Sequence, residues 1–188
     1  MLNRPHAGWR TTPPDAPAGL APWLTDRDSL TAALRSRCRQ LRVECRWQGL
    51  APVLRDESAL LGVSPRGRVW VREVALVADG VPWVWARSVA LPGDLRSRWR
   101  DLAGLGNRSL GAALFADRRV ARGNLLVRRL SRRDPRQRLA AACFAESAGD
   151  LLRAPLWARR SLFCRGAARI LVTEVFAPTV PPRQAASA

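Results

Sequence analysis

Three charged residues stand where strand alternation puts apolar neighbours. In Trp70-Val-Arg-Glu-Val-Ala-Leu76, Arg72 is in phase with Trp70, Val74 and Leu76. In Trp83-Val-Trp-Ala-Arg-Ser-Val89, Arg87 is in phase with Trp83, Trp85 and Val89. In Ile170-Leu-Val-Thr-Glu-Val-Phe176, Glu174 is in phase with Ile170, Val172 and Phe176. Burying an ion costs on the order of several kcal/mol even after relaxation, so each needs a partner. The chemistry open to them is specific. A guanidinium grips a carboxylate through two parallel hydrogen bonds. A glutamate accepts a hydrogen bond from a hydroxyl, or takes its proton as a general base. Two arrangements satisfy the pattern. One is a buried Arg72–Glu174 salt bridge, or an arginine whose head snorkels to the rim. The other is an apolar pocket whose two charges face opposite ends of a small polar ligand. Glu73 lies on the other face, with Val71, Ala75 and Val77, so phase alone does not single out one charge.

Metal chemistry has less support. Cys38, Cys45, Cys143 and Cys164 match no zinc-ligand spacing, and the single histidine is His6, near the N-terminus. No metal site is expected.

The elements that must hold these residues read as follows. Asp79-Gly80 is a hairpin turn between two apolar strands, with Pro82 marking an edge or strand start. A second hairpin joins strands over 157–164 and 169–176. Arg42 to Leu50 and Arg122 to Leu130 are further strand candidates. A helix starts near Leu30, with Asp28 or Ser29 as N-cap and Leu34, Cys38 and Leu41 continuing its spacing. Residues 94–105 read as a helix, and 107–115 as a cap followed by a short helix. Residues 55–57 read as a polar stretch, and 131–150 as a charged loop with a short helical piece, a candidate insertion. Residues 1–20 and 179–188 are expected to be a flexible arm and tail around a domain at 21–178. Hairpins with helices between them predict an α+β fold with one domain and a mainly antiparallel sheet.

The chain has 188 residues, 47% of them hydrophobic, so it can bury a core without staples. Its formal net charge is +17, carried entirely by arginine, since lysine is absent. A missing residue type points to codon bias. The arginines are dispersed and no nucleic-acid-binding signature accompanies them, so no specific nucleic acid is expected as partner. No signal segment is read at the N-terminus and no apolar run reaches about 18 residues, so a cytoplasmic protein with reduced thiols is expected.

Several segments resemble the chorismate–pyruvate lyase family. They are Trp70-Val-Arg-Glu-Val with Asp79-Gly80 and Ala86-Arg-Ser-Val-Ala-Leu-Pro92, then Ser109-Leu-Gly-Ala-Ala-Leu-Phe115, Leu156-Trp-Ala-Arg-Arg-Ser161 and Leu171-Val-Thr-Glu-Val-Phe-Ala-Pro178. The ordered set spans about 20–130 and 155–178. The resemblance implies an antiparallel sheet with helical flaps over an internal ligand pocket, and no metal or organic cofactor. It implies conversion of chorismate to 4-hydroxybenzoate and pyruvate, an early step towards ubiquinone. It places Arg72 on the aromatic carboxylate and Glu174 on the ring hydroxyl. It places Leu110 and Leu30 against the ligand, with Leu30 where the family often has methionine. The longer 131–150 segment and the N-terminal arm depart from the pattern.

Chorismate carries a second carboxylate, and Arg87 is expected to help place it. Two rivals remain: a small-molecule-sensing module of the same fold, and a basic nucleic-acid-binding protein. Residues 1–20 are too short and Pro-rich for the DNA-binding helices that usually precede such sensing modules. A monomer is expected, with peripheral membrane contact as a corollary of the basic surface.

Overall fold

The computed structural model describes residues 8–184. Seven strands form one sheet: β1 (Leu41–Pro52), β2 (Arg68–Ala78), β3 (Val81–Ala90), β4 (Ala121–Arg122), β5 (Leu126–Arg129), β6 (Trp157–Arg165) and β7 (Ala168–Phe176). The order is β1-β2-β3-β7-β6-β4, with β5 also paired to β6. All pairings are antiparallel. Among the described residues seven α-helices accompany it, α1 (Ala21–Thr25), α2 (Leu30–Arg35), α3 (Arg55–Leu61), α4 (Pro92–Arg96), α5 (Arg100–Ala103), α6 (Leu110–Ala116) and α7 (Pro135–Ala148), with a 3-10 turn at Gly149–Arg153 after α7.

Asp79 and Gly80 both have positive φ, 48° and 86°, the backbone a two-residue type I′ turn requires. The turn sets the initial register, Ala78 opposite Val81 and Val77 opposite Pro82. Then the register slips. Leu76 faces Val84, so Trp83 is an extra residue in β3. A one-residue bulge reverses which side chains share a face. Without it Arg72 would oppose Arg87. With it Arg72 opposes Ser88, and Arg87 opposes Glu73. The two hairpin arginines therefore point to opposite faces of the sheet.

One face packs on α3 and α7. Val69, Val71, Val89 and Leu171 meet Leu61 of α3, while Trp85, Ala158 and Val175 meet Ala140 and Phe144 of α7. This face also carries a layer of buried ion pairs. Arg87 Nε donates to Glu57 Oε1 at 2.9 Å and its Nη1 to Glu73 Oε1 at 2.8 Å. Asp56 accepts from Arg136 at 3.0 Å, Arg160 at 2.9 Å and Trp9 Nε1 at 3.1 Å. Of the acids of the 55–57 stretch, Glu57 is fully buried and Asp56 half-buried, at the start of a helix.

Burial opposes the charge of Asp56, but the Arg136 and Arg160 guanidiniums more than offset it and hold the carboxyl below its ordinary value. A depressed folded-state pKa gives stability above the unfolded value of about 4, lost as pH falls through the folded value. Asp56→Asn is expected to cost about 3 kcal/mol at pH 7, roughly 6–12 °C in Tm. The gap between variant and parent should narrow in acid. Thermal melts at pH 7 and pH 3 check this.

Several expected boundaries change. Residues 8–20, read as part of an arm, make specific contacts with the rest of the fold. Trp9 is buried under the Arg160 guanidinium at 4.1 Å, and Arg10 exchanges two backbone bonds with Val127. Residues 179–184 are tied down too, since Trp23 Nε1 donates to Pro181 O at 2.8 Å and Arg183 pairs with Asp26. Residues 1–7 and 185–188 lie outside the described residues. Within 131–150 the helical piece is longer than expected: after a turn at 131–134, α7 runs over Pro135–Ala148, capped by Asp134 and held by buried Phe144. Residues 94–105 split into α4 and α5, and α2 stops at Arg35.

Candidate active site

The other face of the sheet forms the floor of a cavity roofed by α2 and α6. Both helices begin at a serine N-cap, Ser29 and Ser109, whose side chain accepts an amide hydrogen of the first turn. That fixes Leu30 and Leu110 as the first helical residues, both buried and both against the cavity. Thr31 Oγ1 and Ser109 Oγ share a hydrogen bond of 2.9 Å, joining the two roof helices. The walls enclose about 600 Å³ counting the mouth.

Strand register arranges the floor in rows. One row runs Arg72, Ser88, Val172, Ser161 across β2, β3, β7 and β6. The next runs Val74, Ala86, Glu174, Arg159. All eight line the cavity.

Arg72 is 1% exposed. Its Nη2 donates to Gly106 O at 2.7 Å and Arg108 O at 3.0 Å, which fixes the group against the turn leading into α6. Its buried Nε has no hydrogen-bond partner among the described residues. Burial pushes the guanidinium below the ordinary arginine range, only partly countered by the Cys45 thiol beside it. An unmatched donor on a desolvated cation is a receptor for an anion.

Glu174 does not pair with Arg72. Its Oε2 accepts from Arg159 Nε at 2.6 Å. Arg159 is held in turn by the carbonyls of Trp23, at 2.7 Å, and Asp26, at 2.8 Å. Glu174 Oε1 accepts no hydrogen bond among the described residues. The direct Arg72–Glu174 bridge is therefore not formed, and both groups are left facing the same cavity.

Arg87 is not in the cavity. The bulge after the turn sends it to the α3 face, where Glu57 and Glu73 outweigh the cost of its burial and raise its pKa. Sequence reading missed Arg122 and Arg159, which do line the cavity. A signal existed for Arg159. It is in phase with Trp157, Ser161 and Phe163, the same charge-on-an-apolar-face pattern as Arg72. Among the described residues, no group of three or more metal-ligating side chains is placed to hold an ion, and no helix is long and apolar enough to cross a membrane.

An antiparallel sheet roofed by short helices over a charged cavity makes this a single α+β domain with an internal pocket. Solved structures share the fold. The effector domain of PhnF from Mycobacterium smegmatis superposes with a TM-score of 0.55 at 15% identity, over 86% of this chain and 95% of that one. Longer PhnF from the same organism gives 0.56 at 15% identity, over 87% and 69%. At such identity the likeness shows the fold alone.

Sequence narrows the class. A family model described as chorismate lyase matches residues 7–184. A probable chorismate pyruvate-lyase of Aromatoleum aromaticum is 49% identical over 96% of this chain and 97% of its own length. Those of Thiobacillus denitrificans and Nitrosomonas europaea are 41% and 39% identical, over 92% and 96% of this chain and 90% and 98% of theirs. The chain belongs to the chorismate lyase family, a family of enzymes.

Proposed function

We propose that this protein converts chorismate to 4-hydroxybenzoate and pyruvate, in the cytoplasm and as a monomer, and so supplies ubiquinone synthesis. The observation that carries the reading is the shared cavity of Arg72 and Glu174 in a chain of this family. Arg72 takes the ring carboxylate, with Nε adding a donor the protein leaves unused. Glu174, two strands away and two residues further along β7 than the Arg72 row, takes the ring hydroxyl para to that carboxylate. Val172, Ala86, Leu30 and Leu110 cover the ring faces.

The reaction breaks the ether bond between the ring and the enolpyruvyl oxygen. The hydrogen on the neighbouring, hydroxyl-bearing ring carbon leaves, and the ring becomes aromatic. Passed to the methylene carbon of the departing enolpyruvyl group, that hydrogen completes pyruvate, and all atoms are accounted for. Aromatisation supplies the driving force. The protein supplies a fixed reactive conformer and charges aimed at the oxygen that becomes negative. Glu174 acting as base is the alternative route for the same hydrogen. Because the roof must open for release, free 4-hydroxybenzoate should inhibit, and release should contribute to turnover.

The test is direct. Purified protein mixed with chorismate should release 4-hydroxybenzoate and pyruvate in equal amounts. Tight binding of 4-hydroxybenzoate with neither product formed would transfer the protein to ligand sensing. Identity of 49% with a probable lyase along nearly its whole length favours turnover.

A further inference from the structure

Resting on that reading, we propose that Arg122 is the residue that binds the second, enolpyruvyl carboxylate of the substrate and so selects chorismate over its own aromatic product. The argument begins with charge. The cavity is lined by three guanidiniums, Arg72, Arg122 and Arg159, and one carboxylate, Glu174. That is a surplus of two positive charges in a desolvated space. Chorismate carries two negative ones. 4-Hydroxybenzoate carries one, so the product leaves one cation without a counter-ion.

Which cation serves the second carboxylate follows from what each already holds. Arg72 stands at the β2 end of the floor and takes the ring carboxylate. Arg159 is committed to Glu174 and to the Trp23 and Asp26 carbonyls. Among the described residues Arg122 forms no ion pair, and Glu174 and Asp26 act on it only from a distance. Its Nε donates to Ser161 Oγ at 2.9 Å, and its Nη1 donates to the Arg27 carbonyl. The rings of Phe115 and Phe163 lie 5.5 and 5.4 Å from its guanidinium carbon. These contacts aim the group without neutralising it. Burial and the neighbouring Arg159 charge both depress its pKa, which an incoming anion would reverse.

Position agrees. Ser161 ends the row that begins at Arg72, three interstrand steps away, about 14 Å between Cα atoms. Arg122, bonded to Ser161, therefore approaches from the far end, beside Arg159 and Glu174. In chorismate the ring carboxylate is at one end of the molecule. The hydroxyl and the enolpyruvyl ether occupy adjacent carbons at the other. With the hydroxyl on Glu174, the enolpyruvyl arm falls on the Arg122 side. β4, only two residues long, holds Arg122 opposite Phe163 of β6.

Arg122→Gln separates this role from a structural one. It should lower kcat/KM for chorismate at least about 30-fold, the scale for losing one partner of a buried charge pair, chiefly through KM. It should leave the calorimetric Kd for 4-hydroxybenzoate within threefold, which also shows that the variant folds. Arg122→Lys should recover part of the loss. An active parent with kcat/KM unchanged by Arg122→Gln would overturn the inference, as would an equal loss of 4-hydroxybenzoate affinity. A parent with no turnover would instead remove the lyase reading. The Kd of chorismate against 4-hydroxybenzoate in parent and variant then decides the Arg122 question by itself.

Discussion

Arg72→Ala should lower kcat/KM for chorismate by roughly 30- to 3000-fold and weaken 4-hydroxybenzoate binding by a similar factor. The range converts the loss of about 2–5 kcal/mol that follows when one partner of a buried, hydrogen-bonded charge pair is truncated. The cost is high because the site offers no substitute. Arg72 is 1% exposed, so water does not replace it. Arg159 is already bound to Glu174, and the proposed partner of Arg122 is the other carboxylate. The parallel loss in product binding distinguishes Arg72 from Arg122, since chorismate and 4-hydroxybenzoate both carry the ring carboxylate. Arg72→Lys keeps charge but not the planar fork and should fall between the two. Steady-state kinetics with calorimetry on the same preparations gives both numbers.

The second large effect is on stability. Glu57 is fully buried, accepts from Arg87 at 2.9 and 3.2 Å, and closes the start of α3 by accepting from Leu54 N at 3.0 Å. Glu57→Ala leaves Arg87 buried with Glu73 as its remaining partner and a cavity where the carboxylate stood. The expected loss is about 3–5 kcal/mol, roughly 6–20 °C in Tm. Arg87→Met should keep kcat/KM within threefold below its melting temperature, since its side chain faces away from the cavity. A large specific loss of activity would return Arg87 to the mechanism.

Much of this was legible in the residues. Alternation placed Arg72 and Glu174 on an apolar surface, and Asp79-Gly80 announced the hairpin. Ser29 and Ser109 could be read as caps, so Leu30 and Leu110 fell at helix starts. Arg87 shows where such reading stops. A single extra residue, Trp83, reverses its face, and nothing local in Val-Pro-Trp-Val sets where pairing slips. The bridge partner was misread for a related reason. Arg159 lies across β6–β7, and cross-strand neighbours depend on register rather than spacing. Arg122 was invisible because its strand is two residues long and its partners, Ser161 and Arg27, are distant in sequence. Proline-rich residues 8–20 and 179–184 read as loose, but Trp9 and Arg183 find partners only the folded chain supplies.

The central claim is that the cavity under α2 and α6 holds an aromatic acid in one orientation. The most direct measurement is a crystal structure of the protein with 4-hydroxybenzoate. The account predicts the ligand inside this cavity, its carboxylate within hydrogen-bonding distance of Arg72 and its hydroxyl on Glu174. A ligand bound elsewhere, or reversed with its carboxylate at the Arg122 end, would contradict it.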